Sequence, residues 1–469
     1  MNAGLPPDIV DSALARGLSR SEVERQWARL HLPSRPCVPE APCALGSGIL
    51  RLDPARRTEL EERGRRLQAI RFIPASGAAT RMFKALLARD ASAIAQLHQR
   101  WSEFPFVHLA EASGPCDTPE QKWSALIERL GLHMRPKGTL PFHVEPTGIV
   151  TAFEAQLSEW AATLDEPSPV HFTLPQEGFE TWLDVVWEAA SAKGIPCTAS
   201  VQDSSTDTLA VGEDGAPFLL EDGQPLWRPG GHGALIRNLQ DLANAHPGQL
   251  VSIKNIDNVR PQSADAYVLP WRRALLGLAA ECVERRASAL AALAEGDTGP
   301  ARDWLQSVTG RQTSECPNGL EAWRAALDRP LLIAGMVRNE GEPGGGPYWL
   351  RDDEGVLRTQ IVEASEMNME DPQTRNCRAG ATHFNPVDLV CAMHRSNGSA
   401  YDLSQFVDAS RDFVVGKSHD GRALTGLEHP GLWNGGMGRW NTLFVEVDSA
   451  TFAPVKTVFD LLRPAHRVG

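Results

Sequence analysis

Short apolar runs alternate with helix-patterned segments along the first half of the chain, and this alternation limits the fold more than any other feature. AIRFIP at residue 69, PVHFTL at 169, IPCTASVQ at 195 and QLVSIKNID at 249 have strand length. EGFETWLDVVWEAASAKG and HGALIRNLQDLANAHPG between them space apolar residues as helices do. Strands alternating with helices predict an α/β fold with a largely parallel sheet. Ahead of it, LSRSEVERQWARL carries a capping-box pattern, Ser19 as N-cap with Glu22 reaching back, which opens a helix. PSRPCVPEAPCALGSG reads as a Pro-rich linker, and PARRTELEERGRRLQ restarts a charged helix. Four stretches follow: 1–50, N-terminal helix and linker; 51–270, the α/β domain; 271–330, a helical segment; 331–469, a C-terminal α+β lobe of strands and hairpins.

Composition narrows what such a chain can bind. Its 469 residues carry a formal net charge of -13, which argues against nucleic acid and anionic membranes, both of which need a basic surface. The 40 Gly and 34 Pro imply many loops in a chain that is otherwise 42% hydrophobic. Eight cysteines without a C-x-x-C pair predict reduced thiols. With no basic, apolar leader and no run near the roughly 20 apolar residues of a membrane span, the expected location is the cytoplasm.

Four local patterns carry chemistry, each with a plainer alternative. In PASGAATRM, the small residues Ser76, Gly77, Ala78, Ala79 and Thr80 follow a strand, so their N–H groups suit a phosphate, and Arg81 offers a charged fork; the same small residues would also suit tight packing. MRPKGTLPFH aims Lys137 from a stiff, exposed P-K-G loop, or is a surface turn. WRPGGHGALIRNL sets Gly230, Gly231 and Gly233 around His232 at a helix entry. VSIKNIDNVRP ends a strand in Asn255, Asp257 and Asn258, where open α/β sheets bind ligands and a hard carboxylate suits Mg²⁺; it could equally be an Asx turn. In GATHFNPVDLV and LWNGGMGRWN, His383, Asn385 and Asn434 are candidates for hydrogen-bonding hydroxyls, while Trp433 and Trp440 read as core anchors. EPGGGP at 342–347 reads as a hairpin loop without chemistry.

Taken in order, the small-residue loop with Arg, the P-K-G lysine, the P-G-G-H-G loop and N-x-D-N resemble the nucleotide-sugar pyrophosphorylases of the UDP-glucose and UDP-N-acetylhexosamine type, mainly over residues 69–260. Nearly the whole chain after the first helix is also similar to a bacterial family defined by a domain of unknown function, through RFIPASGAATRMFK, RPGGHGALIRNL, IKNIDNV, ATHFNPVDLVCAM and LWNGGMGRWNTLFVEV. The resemblance implies a glycosyltransferase-A-like, Rossmann-related α/β/α sandwich with a mixed sheet. It also implies an Mg²⁺-dependent nucleotidyltransferase that joins a nucleoside triphosphate to a sugar phosphate or similar anionic acceptor and releases pyrophosphate. A glycosyltransferase of the same sandwich, or a non-catalytic nucleotide binder, is the alternative.

Residue by residue, the resemblance gives Ser76 to Thr80 to the nucleotide phosphates and base, and Arg81 and Lys137 to phosphate oxygens. Gln202 falls on a uracil-contacting glutamine, which points to UTP. The loop of Gly230, Gly231, His232 and Gly233 falls over base and ribose, and Asp257 on the Mg²⁺ ligand. The late catalytic lysine is assigned to Lys417, and the acceptor to Asn255, His383, Asn385 and Asn434. The sequence departs from the family at Ser76 and Ala79, where glycine is usual, and in a longer segment between Arg81 and Lys137. No second metal-binding carboxylate has a match.

Overall fold

The computed structural model describes residues 5–32, 36–311, 316–341, 344–352 and 355–467. Its centre is a 10-stranded sheet. In spatial order the strands are Ala44–Leu45, Gly48–Leu50, Asn441–Glu446, Leu331–Arg338, Asp388–Ala392, Leu250–Lys254, Ala69–Pro74, Val170–Thr173 and Cys197–Ser200, with His383–Phe384 added beside the end of Leu331–Arg338. Neighbours along that path are parallel except around Asp388–Ala392, which runs against both of its partners. The expected α/β fold with a mixed sheet is therefore present.

Side chains on a strand point alternately to opposite faces, and the core divides accordingly. Leu331, Ile333 and Val337, with Val390 and Ala392, join one apolar cluster under helices Ala152–Thr163, Asp265–Ala294 and Gly299–Thr309. Leu332, Ala334 and Met336, with Leu389 and Cys391, join the other, under helix Ile236–Ala245 and residues 432–440. On the first face, helix Pro54–Gly64 lies tight against Asp265–Ala294. A Cβ on Gly64 would fall 1.9 Å from the Arg273 carbonyl, and one on Gly277 2.1 Å from that of Leu60. Two glycines thus let the backbones meet.

A buried ionic cluster occupies the same face below the carboxyl ends of the strands. Glu159 lies 3.3 Å from Arg272 and 3.5 Å from Arg71 and is hydrogen-bonded to Lys254; Arg272 also pairs with Asp388. All five are buried. Burial alone would raise the Glu159 pKa, but Lys254, Arg272 and Arg71 outweigh it and hold the carboxyl at about 2. Arg71 also stacks over Trp160, 4.5 Å from the ring centroid.

Two local expectations are corrected. Glu22 donates its N–H to Ser19 Oγ at 3.1 Å, but its carboxylate is drawn to Arg25 and Gln26, so the reciprocal half of the capping box is missing. The Pro-rich stretch is no free linker over its described part. Ala41–Pro42 pairs with Tyr348 and Trp349, while Ala44–Leu45 and Gly48–Leu50 extend the central sheet. The helices Pro7–Ala15 and Arg20–Leu30 pack on a second, 4-stranded sheet through Ile9, Val23, Leu209 and Leu427. Cys37, Cys43, Cys116, Cys197, Cys282, Cys377 and Cys391 are free thiols. Among the described residues no helix is long and apolar enough to cross a membrane.

Candidate active site

Ala69–Pro74 and Leu250–Lys254 are parallel neighbours, so the segments that leave them, 75–81 and 255–258, emerge side by side. Asp388–Ala392 runs the other way and enters the sheet at the same edge, bringing residues 385–387 with it. A cleft of about 610 Å³ opens there. This is where open α/β sheets carry ligands.

Asp257 is the centre of the cleft's charge. Its Oδ2 accepts from Lys137 Nζ and from Lys456 Nζ, each at 3.0 Å, while Oδ1 is buried with no hydrogen-bond partner among the described residues. Burial works to raise the Asp257 pKa, but the two ammonium groups, Lys456 first, hold it below the ordinary aspartate value. Burial lowers the Lys137 pKa against the pull of Asp257.

Lys137 is therefore not the exposed loop lysine expected; its side chain is only 14% exposed. The P-K-G turn and the first loop form one unit. Lys137 N–H donates to the Gly77 carbonyl at 3.2 Å, Ala79 N–H to that of Arg135 at 3.0 Å, and Thr80 Oγ1 to that of His133. Gly138 has no room for a side chain, since a Cβ would lie 2.4 Å from the Phe153 ring.

The same contacts change the reading of the first loop. Ala79 is buried and its N–H is already used, and Ala79–Arg81 is a single 3-10 turn followed by the four-residue helix Lys84–Leu87. No long helix therefore starts at this loop to present its N-terminus to a phosphate. Ser76 is half-buried, Gly77, Ala78 and Thr80 are exposed, and no carbonyl among the described residues accepts from Gly77 or Ala78. Arg81 is exposed on the cleft wall and makes no ion pair among the described residues. The long segment before Lys137 is built of short helices whose Leu97, Phe106 and Leu126 join the core.

The P-G-G-H-G loop forms the facing wall. Gly231 has φ +75°, and with His232 it lines the cleft. Gly230 and Gly233 serve packing: a Cβ on either would strike the His429 ring or the Pro430 carbonyl, at 2.3 and 2.2 Å. His232 stacks on Trp433, ring centroids 4.4 Å apart. Leu432 N–H donates to its Nδ1 at 3.1 Å, so the neutral ring carries its proton on Nε2, 3.8 Å from Glu363. Burial lowers the His232 pKa, against Glu363 and Glu428.

The other residues singled out from the sequence fall into two groups. Lys417 lines the cleft from strand Phe413–His419, 3.2 Å from Glu428. Asn255 and Asn385 line it too. The Asn385 amide is already engaged, however: Nδ2 donates to Gly335 O and Oδ1 accepts from Val387 N–H. That clasp holds Val387 at φ +55°, a strained conformation for a β-branched residue. Gln202, His383 and Asn434 are not on the cleft wall. His383 is buried beside Thr382 and Glu446, and Asn434 is buried beneath the loop.

Lys456, Glu363 and the place of Gly344 and Gly345 on the cleft wall escaped the sequence reading. Lys456 enters on a segment docked by Val455 N–H to Asp257 O and Ala453 N–H to Asn258 Oδ1, both at 3.0 Å. Its signal was P-V-K, a lysine beside a stiff proline as in P-K-G. Asn258 also donates to Pro386 O, tying the Asp257 loop to the 385–387 turn. Glu363 and the glycines Gly344 and Gly345 line the cleft, whereas residues 342 and 343 of EPGGGP lie outside the described residues.

Among the described residues no group of three or more His, Cys, Asp or Glu is gathered for a metal. A lone carboxylate with a bare, buried oxygen nevertheless fits Mg²⁺, which commonly takes one or two protein carboxylates and completes its shell with water and substrate phosphate oxygens.

The sequence profile of the family described as Domain of unknown function (DUF4301) matches residues 10–107 and 122–467. The chain belongs to this family. It is the family that the sequence motifs resembled. No curated protein matches the chain. Among solved structures, the uridine diphosphate N-acetylglucosamine pyrophosphorylase from Trypanosoma brucei aligns with TM-score 0.53 and 13% identity, over 97% of this chain and 79% of that one. A UDP-glucose pyrophosphorylase variant from Leishmania major, in complex with UDP-glucose, aligns with TM-score 0.44 and 13% identity, over 97% and 79%. The Trypanosoma brucei enzyme and this chain share a fold.

Proposed function

We propose that the protein is a nucleotidyltransferase, joining a nucleoside triphosphate to a sugar phosphate or similar anionic acceptor. The observation that carries this reading is the convergence of Lys137 and Lys456 on Asp257 at the carboxyl end of Leu250–Lys254, with Arg81, unpaired among the described residues, on the same cleft. Two lysines on one carboxylate, with Arg81 on the same cleft wall, suit a substrate that brings several negative charges. The likeness in fold to a UDP-sugar pyrophosphorylase supports the same class of reaction, and UTP is the first triphosphate to test.

An acceptor phosphate oxygen attacks the α-phosphorus in line, the bond from that phosphorus to the bridging oxygen breaks, and pyrophosphate leaves with the electron pair. The attacking oxygen is already ionised, so no general base is required. Lys137, Lys456 and Arg81 bind the phosphates and offset charge as it shifts to the leaving group. Asp257 orients the two lysines and, through Oδ1, would hold a divalent cation; neutralising the pyrophosphate is the chemistry that cation supplies. His232 and the loop before it shield the opposite wall from water.

Pyrophosphate release is the test, measured with each nucleoside triphosphate against hexose 1-phosphates, with Mg²⁺. Turnover that needs both substrates and is lost in Asp257→Ala supports the reading. Full turnover in Asp257→Ala would sink it.

A further inference from the structure

A second cavity, of about 310 Å³, borders the cleft. Ser365 and Phe413 line both spaces. The short 3-10 helix Ala364–Glu366 and the residue before it explain the join: Glu363 and Ser365 line the cleft, while Glu366 lines the chamber. At that volume the chamber lies at the lower end of small-molecule sites.

Charge in the chamber is matched almost everywhere. Arg411 Nη2 donates to Glu366 Oε1 at 2.7 Å, and Asp412 accepts from Arg25 and Arg29 at 2.7 and 2.6 Å. Burial pushes the Cys37 thiol up to about 11, so it forms an uncharged wall. Asp408 also feels the Arg411 charge, but it keeps one oxygen without a donor among the described residues. Its Oδ1 accepts from the Ser410 backbone and hydroxyl, at 3.1 and 2.6 Å, but no donor among the described residues meets Oδ2, although Asp408 is only 1% exposed. A carboxylate oxygen that lines the chamber without a donor can accept one from a ligand.

We propose that the acceptor carries a hydroxyl-bearing extension, about the size of a second sugar ring, which leaves the cleft past Ser365 and Phe413 and donates to Asp408 in this chamber. The inference rests on the transferase reading above. An extension is required because the chamber continues from the cleft, so one molecule fills both. It is uncharged because the neighbouring ions already pair with each other, and it brings a donor because Asp408 lacks one.

The test compares glucose 1-phosphate with maltose 1-phosphate as acceptors for UTP in the wild type, in Asp408→Asn and in Val38→Trp, which fills the chamber from a residue that is 40% exposed. The disaccharide phosphate should have the higher kcat/KM. Each variant should raise its KM about tenfold, the worth of one hydrogen bond to a charged group, and leave the KM for UTP unchanged. Equal kcat/KM for the two acceptors, or an unmoved disaccharide KM in Val38→Trp, overturns the proposal. Should nothing be turned over, the transferase reading falls separately, and calorimetry with maltose 1-phosphate alone decides the chamber: binding weakened by Val38→Trp supports it, and absent or unchanged binding overturns it.

Discussion

Lys456 Nζ lies 3.0 Å from Asp257 Oδ2, the same oxygen that receives Lys137. One carboxylate oxygen therefore holds two cations drawn from opposite ends of the fold while its partner oxygen stays bare. Replacing Lys456 by Met should lower kcat for nucleotidyl transfer by about 10²–10³, the usual cost of losing a donor aimed at developing charge. The Lys456 side chain is 53% exposed, so thermal unfolding of the variant should match the wild type. Lys456→Arg should recover part of the rate; a wild-type rate in Lys456→Met would remove the lysine from the mechanism.

Nucleotide binding should depend on Mg²⁺ through Asp257. Thermal-shift measurements with UTP are expected to show stabilisation that EDTA abolishes, because a ligand that binds only the folded chain raises its apparent stability. In Asp257→Asn the Mg²⁺-dependent part of that shift should vanish. A shift of the same size in EDTA would mean that the lysines alone hold the phosphates.

The cluster around Glu159 sits under the catalytic edge and should fail sharply when its hub is neutralised. Glu159→Gln leaves Arg71, Lys254 and Arg272 with too little negative charge in a buried space, a change expected to cost about 3–5 kcal/mol. Urea unfolding monitored by tryptophan fluorescence would report it. A cost below about 1 kcal/mol, the scale of an exposed ion pair, would show that the cluster is far wetter than its burial indicates.

His143 and His466 predict an acid-sensitive fold. Both are buried, with Nε2 of one 3.1 Å from Nδ1 of the other, and burial lowers their pKa values to about 3 and about 4 from 6.5. Folded-state values that lie below the unfolded value mean that this contribution to stability is complete above pH 6.5. It is lost as pH falls through 4, because the unfolded chain takes up protons first. By pH 5 the pair should cost about 2 kcal/mol per histidine. Chemical unfolding at pH 7.5 and pH 5 measures the slope, and His143→Gln should reduce it.

What was legible in the sequence is local. AIRFIP, PVHFTL and QLVSIK reveal themselves as buried strands because their apolar content exceeds anything a surface can carry, and NIDN marks the carboxyl end where Asp257 sits. Packing decided the rest. Whether Ala79 N–H would meet a phosphate depended on the Arg135 carbonyl, more than fifty residues away. His383 and Asn385 are two residues apart, yet the chain leaves the strand after Phe384, so one side chain reaches Glu446 and the other the cleft wall. Lys417 and Lys456 look alike as isolated lysines; only the docking of residues 453–455 on the Asp257 loop shows which one reaches the carboxylate.

The strand Gly48–Leu50 pairs with Asn441–Glu446 on one side and with only the two residues Ala44–Leu45 on the other. On the ribosome, therefore, this segment must wait for one made about 400 residues later before that edge of the sheet can close. Lys456 lies just beyond that late strand, so its contact with Asp257 cannot form before it is made. Closing such a distant pairing is slow. A nascent chain of this kind would expose an unsatisfied sheet edge until that strand is made, making it a natural client for chaperones.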